Sequence, residues 1–399
     1  MKKNLFILNT EKISKLLLFI LIIYEGWYLE KFNPIPYFLQ ILTILFIFFA
    51  ALYALKKRIS ILNSISVTWI LFLISCLIGL FFSKGRAYGF SSLFTFFSFL
   101  IVVIFSELFI KENKSSSWLS ISIITIAILT GICVLFSPFS YQNGLYFVTT
   151  MSSRNNPNGL GFTMALGSFF LLISNKNIRL INFLFRLLIS LIFFYITINS
   201  GSRSGLICNA VVIVLSLFNQ LSLLSRKSAS NNIKKMVIIL TMIIGVIILG
   251  KTVLKTSSGN SGLFRLMDLF NLDFFSGRTN LYVDAWNFFI SNPFFGIGYD
   301  CFAVIAPYGY YTHSTYMELL SCTGIIGFLL FMFPFFKGVF RSIKIIKIDK
   351  GKKIILLIFF FINGFFTIWF YNLIYLIILY SIFKELSFKK DGEYNEQNI

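Results

Sequence analysis

Apolar runs of about twenty residues recur along this chain, separated by short polar stretches. An α-helix needs roughly that many residues to cross the hydrocarbon core of a bilayer. The pattern predicts spans over 16–30, 37–55, 61–82, 88–110, 118–137, 157–174, 180–199, 205–224, 236–254 and 317–340. A last apolar run, 354–383, contains no charged residue. Lys347, Lys350, Lys352 and Lys353 precede it, and Lys384, Lys389 and Lys390 follow it. If both flanks lie on one side, the run is a hairpin that turns near Asn363–Gly364 or Trp369–Asn372. The expected fold class is therefore an all-α polytopic membrane protein with about 12 transmembrane helices, a single integral membrane domain over 1–399.

Basic residues orient this pattern. With the N-terminus inside, cytoplasmic segments hold 25 of the 35 Lys and Arg, external ones hold 9, and Arg186 sits alone in mid-span. Both termini are then cytoplasmic. The types divide unevenly: of 10 Arg, five are external, namely Arg86, Arg154, Arg203, Arg265 and Arg278. A guanidinium is a planar fork that matches phosphate or carboxylate bidentately, whereas Lys is a point charge. Topogenic charge alone does not require that excess of Arg.

Residues 255–316 form one large external loop between the ninth and tenth spans. Within it, Leu281, Ala285, Phe288 and Phe289 share a helical face after Ser276-Gly277-Arg278, and Asn292-Pro293 ends the pattern. A short amphipathic helix at the membrane surface is expected there, with a weaker one over Phe264–Phe275.

Composition narrows the class. Hydrophobic residues make up 57% of the 399 positions and charged residues 13%, so neither a soluble domain nor a disordered chain fits. The net charge of +20 is explained by cytoplasmic loops, so no nucleic-acid partner is expected. The N-terminal apolar run has no small-residue cleavage site after it and reads as a first span. Cys76, Cys133 and Cys208 fall in apolar runs; a Cys301–Cys322 disulfide stays open. There is no Walker motif, no HExxH and no Cys/His cluster, and His313 is the single histidine, so no metal site or cofactor is expected.

Three external positions carry candidate chemistry. Asn199-Ser-Gly-Ser202-Arg203-Ser204-Gly205 precedes the eighth span, where free N–H groups of a helix start beside an Arg suit an anion. A short topogenic loop is the plainer reading. Arg278 starts the amphipathic helix, where the dipole disfavours a cation unless an anion is bound. His313 precedes Ser314, a plausible N-cap for the tenth span, so the dipole and nearby arginines favour a neutral ring able to accept a proton. Tyr308, Tyr310 and Tyr311 suit either sugar stacking or the interfacial aromatic belt. Glu318 is placed to orient His313, although five residues' separation is poor helical geometry. Asp268, Asp273, Asp284 and Asp300 read as charge balance on the loop.

Asn155-Asn-Pro-Asn158-Gly, Ser-Gly-Ser-Arg203-Ser-Gly, Ser-Gly-Arg278 with Trp286 and Pro293-Phe-Phe-Gly-Ile-Gly298, His313-Ser-Thr-Tyr and Gly324-Ile-Ile-Gly327 occur in this order. Together they resemble the O-antigen ligase and Wzy-type polymerase superfamily, over about Asn155 to Leu330. The family usually has Asn after its histidine, where this chain has Ser314. The resemblance implies a glycosyltransferase of the bacterial cytoplasmic membrane. Its donor and acceptor would be undecaprenyl-pyrophosphate-linked glycans, and a chain-length regulator is a candidate partner. It implies that Arg203 and Arg278 hold the donor pyrophosphate and that His313 acts on the acceptor hydroxyl in an inverting displacement. Arg154, Asn158, Ser202, Ser204, Tyr311 and Glu318 are the accompanying substrate-binding candidates. A polymerase of repeat units is the leading expectation. A ligase passing finished glycan to a surface acceptor is the alternative within the same chemistry. A lipid-linked sugar transporter fits less well, because ionisable residues in mid-span are few and the external loop is long.

Overall fold

The computed structural model describes residues 2–26, 38–59, 62–110, 116–136, 139–142, 145–148, 157–173, 180–200, 202–223, 232–240, 276–344 and 350–387. Its helices are α1 (Lys2–Gly26), α2 (Phe38–Lys57), α3 (Ser64–Phe81), α4 (Arg86–Ile110), α5 (Ser116–Phe136), α6 (Pro157–Leu172), α7 (Leu180–Asn199) and α8 (Arg203–Leu223). They continue with α9 (Ser276–Ser291), α10 (Phe302–Ile305), α11 (Thr315–Lys344), α12 (Lys350–Asn363) and α13 (Leu373–Ser387). Among the described residues seven helices, α2 to α5, α7, α8 and α11, are long and apolar enough to cross a membrane. The molecule is an all-α polytopic membrane protein. The strands among the described residues form a small antiparallel hairpin, β1 (Phe139–Gln142) with β2 (Leu145–Val148). The ninth expected span starts in helix at 232–240 and then passes outside the described residues. Arg154 and the expected helix over Phe264–Phe275 also lie outside them.

Apolar residues circle most helices, and packing divides them into two faces. On α2, Leu42, Phe46, Ala50 and Tyr53 are buried at helical spacing, while Ile44, Phe48 and Leu55 stand exposed. A soluble helix would carry polar residues on that outer face; here it suits lipid tails. The uncharged run 354–383 is divided as the lysine flanks predict. Helix α12 ends at Asn363, a turn and a short 3₁₀ segment (Trp369–Tyr371) follow, and α13 returns.

The element that organises the rest is a break inside α11. Gly324 has φ 65 and ψ −169, far from helical values. The backbone groups freed there are paired by the loop after α9. Ile325 and Ile326 donate to the carbonyls of Pro293 (2.8 Å) and Phe294 (3.3 Å). Ile297 and Gly298 donate to the carbonyls of Ser321 (2.9 Å) and Cys322 (3.0 Å). Non-helical backbone is tolerated at membrane depth only when protein satisfies it, and here two irregular segments satisfy each other. A Cβ on Gly324 would lie 2.4 Å from the backbone of Phe294, so contact as well as positive φ demands glycine.

The same loop is wedged among other helices. The Ser83 hydroxyl donates to the Ile297 carbonyl, and the backbone oxygen of Phe295 lies 2.8 Å from where a Cβ on Gly79 would be. The Tyr299 ring meets Phe370 (5.6 Å) and Phe96 (5.9 Å), and Phe331 stacks on Trp69 (5.7 Å). All five cysteines are free, so the Cys301–Cys322 disulfide that the sequence left open is not formed. Instead the Cys301 sulfur lies 3.3 Å from the Ser83 hydroxyl, and the Cys322 thiol donates to Glu318 (3.4 Å).

Gly324→Ala is expected to destabilise the detergent-purified protein by about 2 kcal/mol or more, through strain plus a clash with fixed backbone. Gly309, at φ 72 but with open space around it, is the control: its Ala variant should lose only about 1 kcal/mol. Thermal unfolding of both variants checks this, and equal losses would remove the role given to the Phe294 contact.

Candidate active site

The amphipathic helix is present as α9, which already includes Ser276 and Gly277 and ends at Ser291, just before Asn292-Pro293. Leu281 and Ala285 are buried, Phe288 meets Phe302 (5.9 Å), and Val283, Trp286 and Ile290 are exposed. The helix packs against α11, and its Tyr282 hydroxyl reaches the turn between α12 and α13 to donate to the Phe365 carbonyl (3.2 Å). Arg278, in its first turn, places its guanidinium carbon 5.9 Å from the Phe366 ring centroid.

His313 stands immediately before α11 and adopts φ 58, a left-handed conformation uncommon for a residue with a side chain. The surroundings hold that turn from several sides. Thr312 is fully buried; its N–H donates to Glu318 Oε2 (2.8 Å), and its hydroxyl donates to the Ser314 carbonyl (3.0 Å). Thr315 N–H is shared between the carbonyls of Gly364 (2.8 Å) and Thr367 (3.0 Å). Ser314 occupies the expected N-cap position, since its carbonyl accepts from Glu318 N–H (2.9 Å), while its hydroxyl donates to Gly364 (3.3 Å). Against the His313 ring lie Tyr311, at 4.4 Å between centroids, and Tyr310, at 5.8 Å.

The ring is neutral for reasons the structure makes specific. Burial comes first and the Arg278 charge second, and together they lower the His313 pKa from 6.5 to about 4. The sequence argument from arginines and partial burial has the right direction; burial proves the larger cause. Nearby, Asp300 also has positive φ, at 57, and its carboxyl is raised by burial, against hydrogen bonds from Ser92 and Tyr371. Asp284 accepts from the Tyr308 hydroxyl (2.7 Å), tying α9 to the tyrosine segment.

The remaining candidates form a second group. Asn158 and the serines flanking Arg203 bond one another: Ser202 and Ser204 both donate to Asn158 Oδ1 (2.6 and 2.8 Å), and Gly205 N–H donates to Ser202 Oγ (2.9 Å). Ser202 and Ser204 are buried, so these hydroxyls shape the loop around Arg203. Arg203 is the first residue of α8. Close contact of Gly161 with Gly205 locks α6 to α8, since a Cβ on Gly161 would lie 2.6 Å from Gly205 Cα. Helix α12 runs antiparallel to α8. Gly351 abuts Asn219 at one end, and Phe359 meets Phe162, the neighbour of Gly161, towards the other (6.4 Å). At about 1.5 Å per residue, the α12–α13 turn lies level with the start of α8. Because that turn also holds Thr315, Arg203 sits at the same end of the bundle as Arg278 and His313.

Glu318 is fully buried, and its carboxylate faces Thr312, Cys322 and Tyr371. Sequence spacing made a direct Glu318–His313 contact poor; the structure gives an indirect one through the Thr312 backbone. Tyr371, Phe366, Gly364 and Thr367, all from the α12–α13 turn, are absent from the sequence-derived candidates. Asp300 is likewise buried, where the sequence suggested charge balance on a loop. The available signal was the polar interruption Asn363, Thr367, Tyr371 and Asn372 in an uncharged run, at a turn expected on the side of His313.

Residues 162–332 match a family model described as O-antigen ligase. That stretch, under half of the chain, is similar to the O-antigen ligase family. The resemblance drawn from the motif order is thereby borne out, over Arg203, Arg278, His313 and Glu318 but not Asn158 before the domain or Tyr371 after it. Members of that family are membrane glycosyltransferase-like enzymes, glycan ligases and polymerases. No curated protein matches the chain.

Because His313 is the single histidine, protein labelled at histidine and purified without a histidine tag gives one titrating NMR signal. Its midpoint should lie near pH 4. Arg278→Ala removes a positive charge that opposes protonation, so the midpoint should rise while staying below 6.5, because burial remains. A fall, or no change, would show that Arg278 does not act on this ring.

Proposed function

We propose that this protein polymerises undecaprenyl-pyrophosphate-linked oligosaccharide repeat units of a capsule, O-antigen or exopolysaccharide on the outer face of the cytoplasmic membrane. The carrying observation is a neutral histidine beside an arginine, at the bundle end where a second arginine opens a helix. Arg203 and Arg278 hold the donor pyrophosphate. The acceptor hydroxyl oxygen attacks the anomeric carbon from the opposite face, the bond to the phosphate oxygen breaks, and its electron pair leaves with the pyrophosphate. The hydroxyl proton passes to His313. The anomeric centre inverts in one displacement, so one base suffices. Two guanidinium forks stabilise the charge growing on the leaving group, which needs no divalent cation. With a pKa of about 4, His313 is ready to accept at neutral pH, though as a weaker base than free imidazole.

A second reading has specific support, because the matched family is described as O-antigen ligase. A ligase would share the donor site and pass finished glycan to a surface acceptor. A chain-length regulator is a partner only in the polymerase reading.

His313→Ala is expected to lower transfer by about 10²–10⁴-fold. Arg203→Ala and Arg278→Ala should each lower it by about 10²–10³-fold, with insertion unchanged. Gel profiles of lipid-linked and surface glycan check this. Single repeat units identify a polymerase, long glycan left on the lipid carrier identifies a ligase, and wild-type ladders in all three variants sink both.

A further inference from the structure

The segment from Asp300 to His313 carries Tyr308, Tyr310 and Tyr311, and non-glycine residues in left-handed conformation stand at both its ends. Both ends are tied to one place. Asp300 accepts a hydrogen bond from the Tyr371 hydroxyl. Thr312 N–H donates to Glu318, whose other oxygen lies 3.5 Å from the same hydroxyl. Glu318 is fully buried and Asp300 nearly so, at 8% exposure. Tyr371 packs against Phe370 (4.5 Å), Tyr311 (6.2 Å) and Tyr299 (6.3 Å), so its ring is held independently of the hydroxyl.

Hydrogen counting defines what the hydroxyl does. A phenol has one proton and donates to one carboxyl only. With that proton on Asp300, the contact to Glu318 is favourable only when Glu318 carries a proton and donates to the phenol oxygen. The three groups then form one donor chain, Glu318 to Tyr371 to Asp300. Without the hydroxyl nothing holds the Glu318 proton in place, and two buried carboxylates then face each other across a gap, each tending to pull its end of the segment away.

We propose that Tyr371, which lies outside the O-antigen ligase domain, is a positioning residue for the reaction: its hydroxyl bridges Asp300 and Glu318, closes both ends of the 300–313 segment, and thereby aims His313. It acts through the segment and touches neither substrate. The inference rests on the reading of His313 as the base.

The test uses full-length protein and the lipid-linked glycan extracted from membranes of a strain deleted for this chain. Tyr371→Phe should lower kcat at least tenfold, with KM for the extracted glycan within about threefold. Adding Glu318→Gln should recover at least tenfold over Tyr371→Phe alone. The amide still accepts from Thr312 N–H, and its NH₂ supplies the donor that faces Asp300. A purely packing role for Tyr371 predicts no such recovery. Wild-type kcat in Tyr371→Phe, a loss confined to KM, or no recovery in the double variant overturns the proposal while leaving the proposed function intact. His313→Ala is run alongside: if it transfers glycan at the wild-type rate, the reading of the base fails and the proposal falls with it.

Discussion

Backbone satisfaction in a water-poor surrounding governs this molecule. Within a bilayer an unpaired N–H or C=O is costly, so any interruption of helix has to be answered by another segment. The break at Gly324 and the irregular loop 293–298 answer each other through four backbone hydrogen bonds. That mutual pairing carries the loop into the bundle between α3, α4 and α11, and it fixes where Tyr299 and Asp300 emerge. The site is built outward from this junction.

A second pairing has the same logic at the bundle end. The start of α11 leaves N–H groups without helical partners. Thr315 finds them in the carbonyls of Gly364 and Thr367, and Thr312 finds Glu318. His313 is thus clamped between the Glu318 carboxyl group of the helix that follows it and the turn of the C-terminal hairpin. Its strained φ is the consequence: anchors on either side leave the backbone little choice. The same turn supports Arg278 through Phe366, so cation and histidine share one platform.

Arg203 reaches this end by a different route, through close packing of Gly161 on Gly205 and the antiparallel register of α8 and α12. Asn158 illustrates how a residue conspicuous in a motif can serve shape. Its carboxamide oxygen receives both serine hydroxyls that flank Arg203, and so shapes the turn that carries the arginine.

Much of this was legible in sequence. Apolar run lengths mark the helices, lysine flanks divide the last run into a hairpin, and the period of Leu281, Ala285 and Phe288 reveals the surface helix. These are local properties, in which the physical signal and the residues that carry it lie within a few turns of each other. Arg203, Arg278 and His313 stood out because cations and a lone histidine are rare in so apolar a chain. Only the tertiary structure decided the rest. The break in α11 depends on carbonyls some thirty residues away, the disulfide on geometry, and the environment of Glu318, Asp300 and Tyr371 on three segments that meet only in the folded bundle. A carboxylate in a sequence reads as solvated charge. Burial and a hydrogen-bond partner from a distant turn give it another role, and neither is written in its neighbours along the chain.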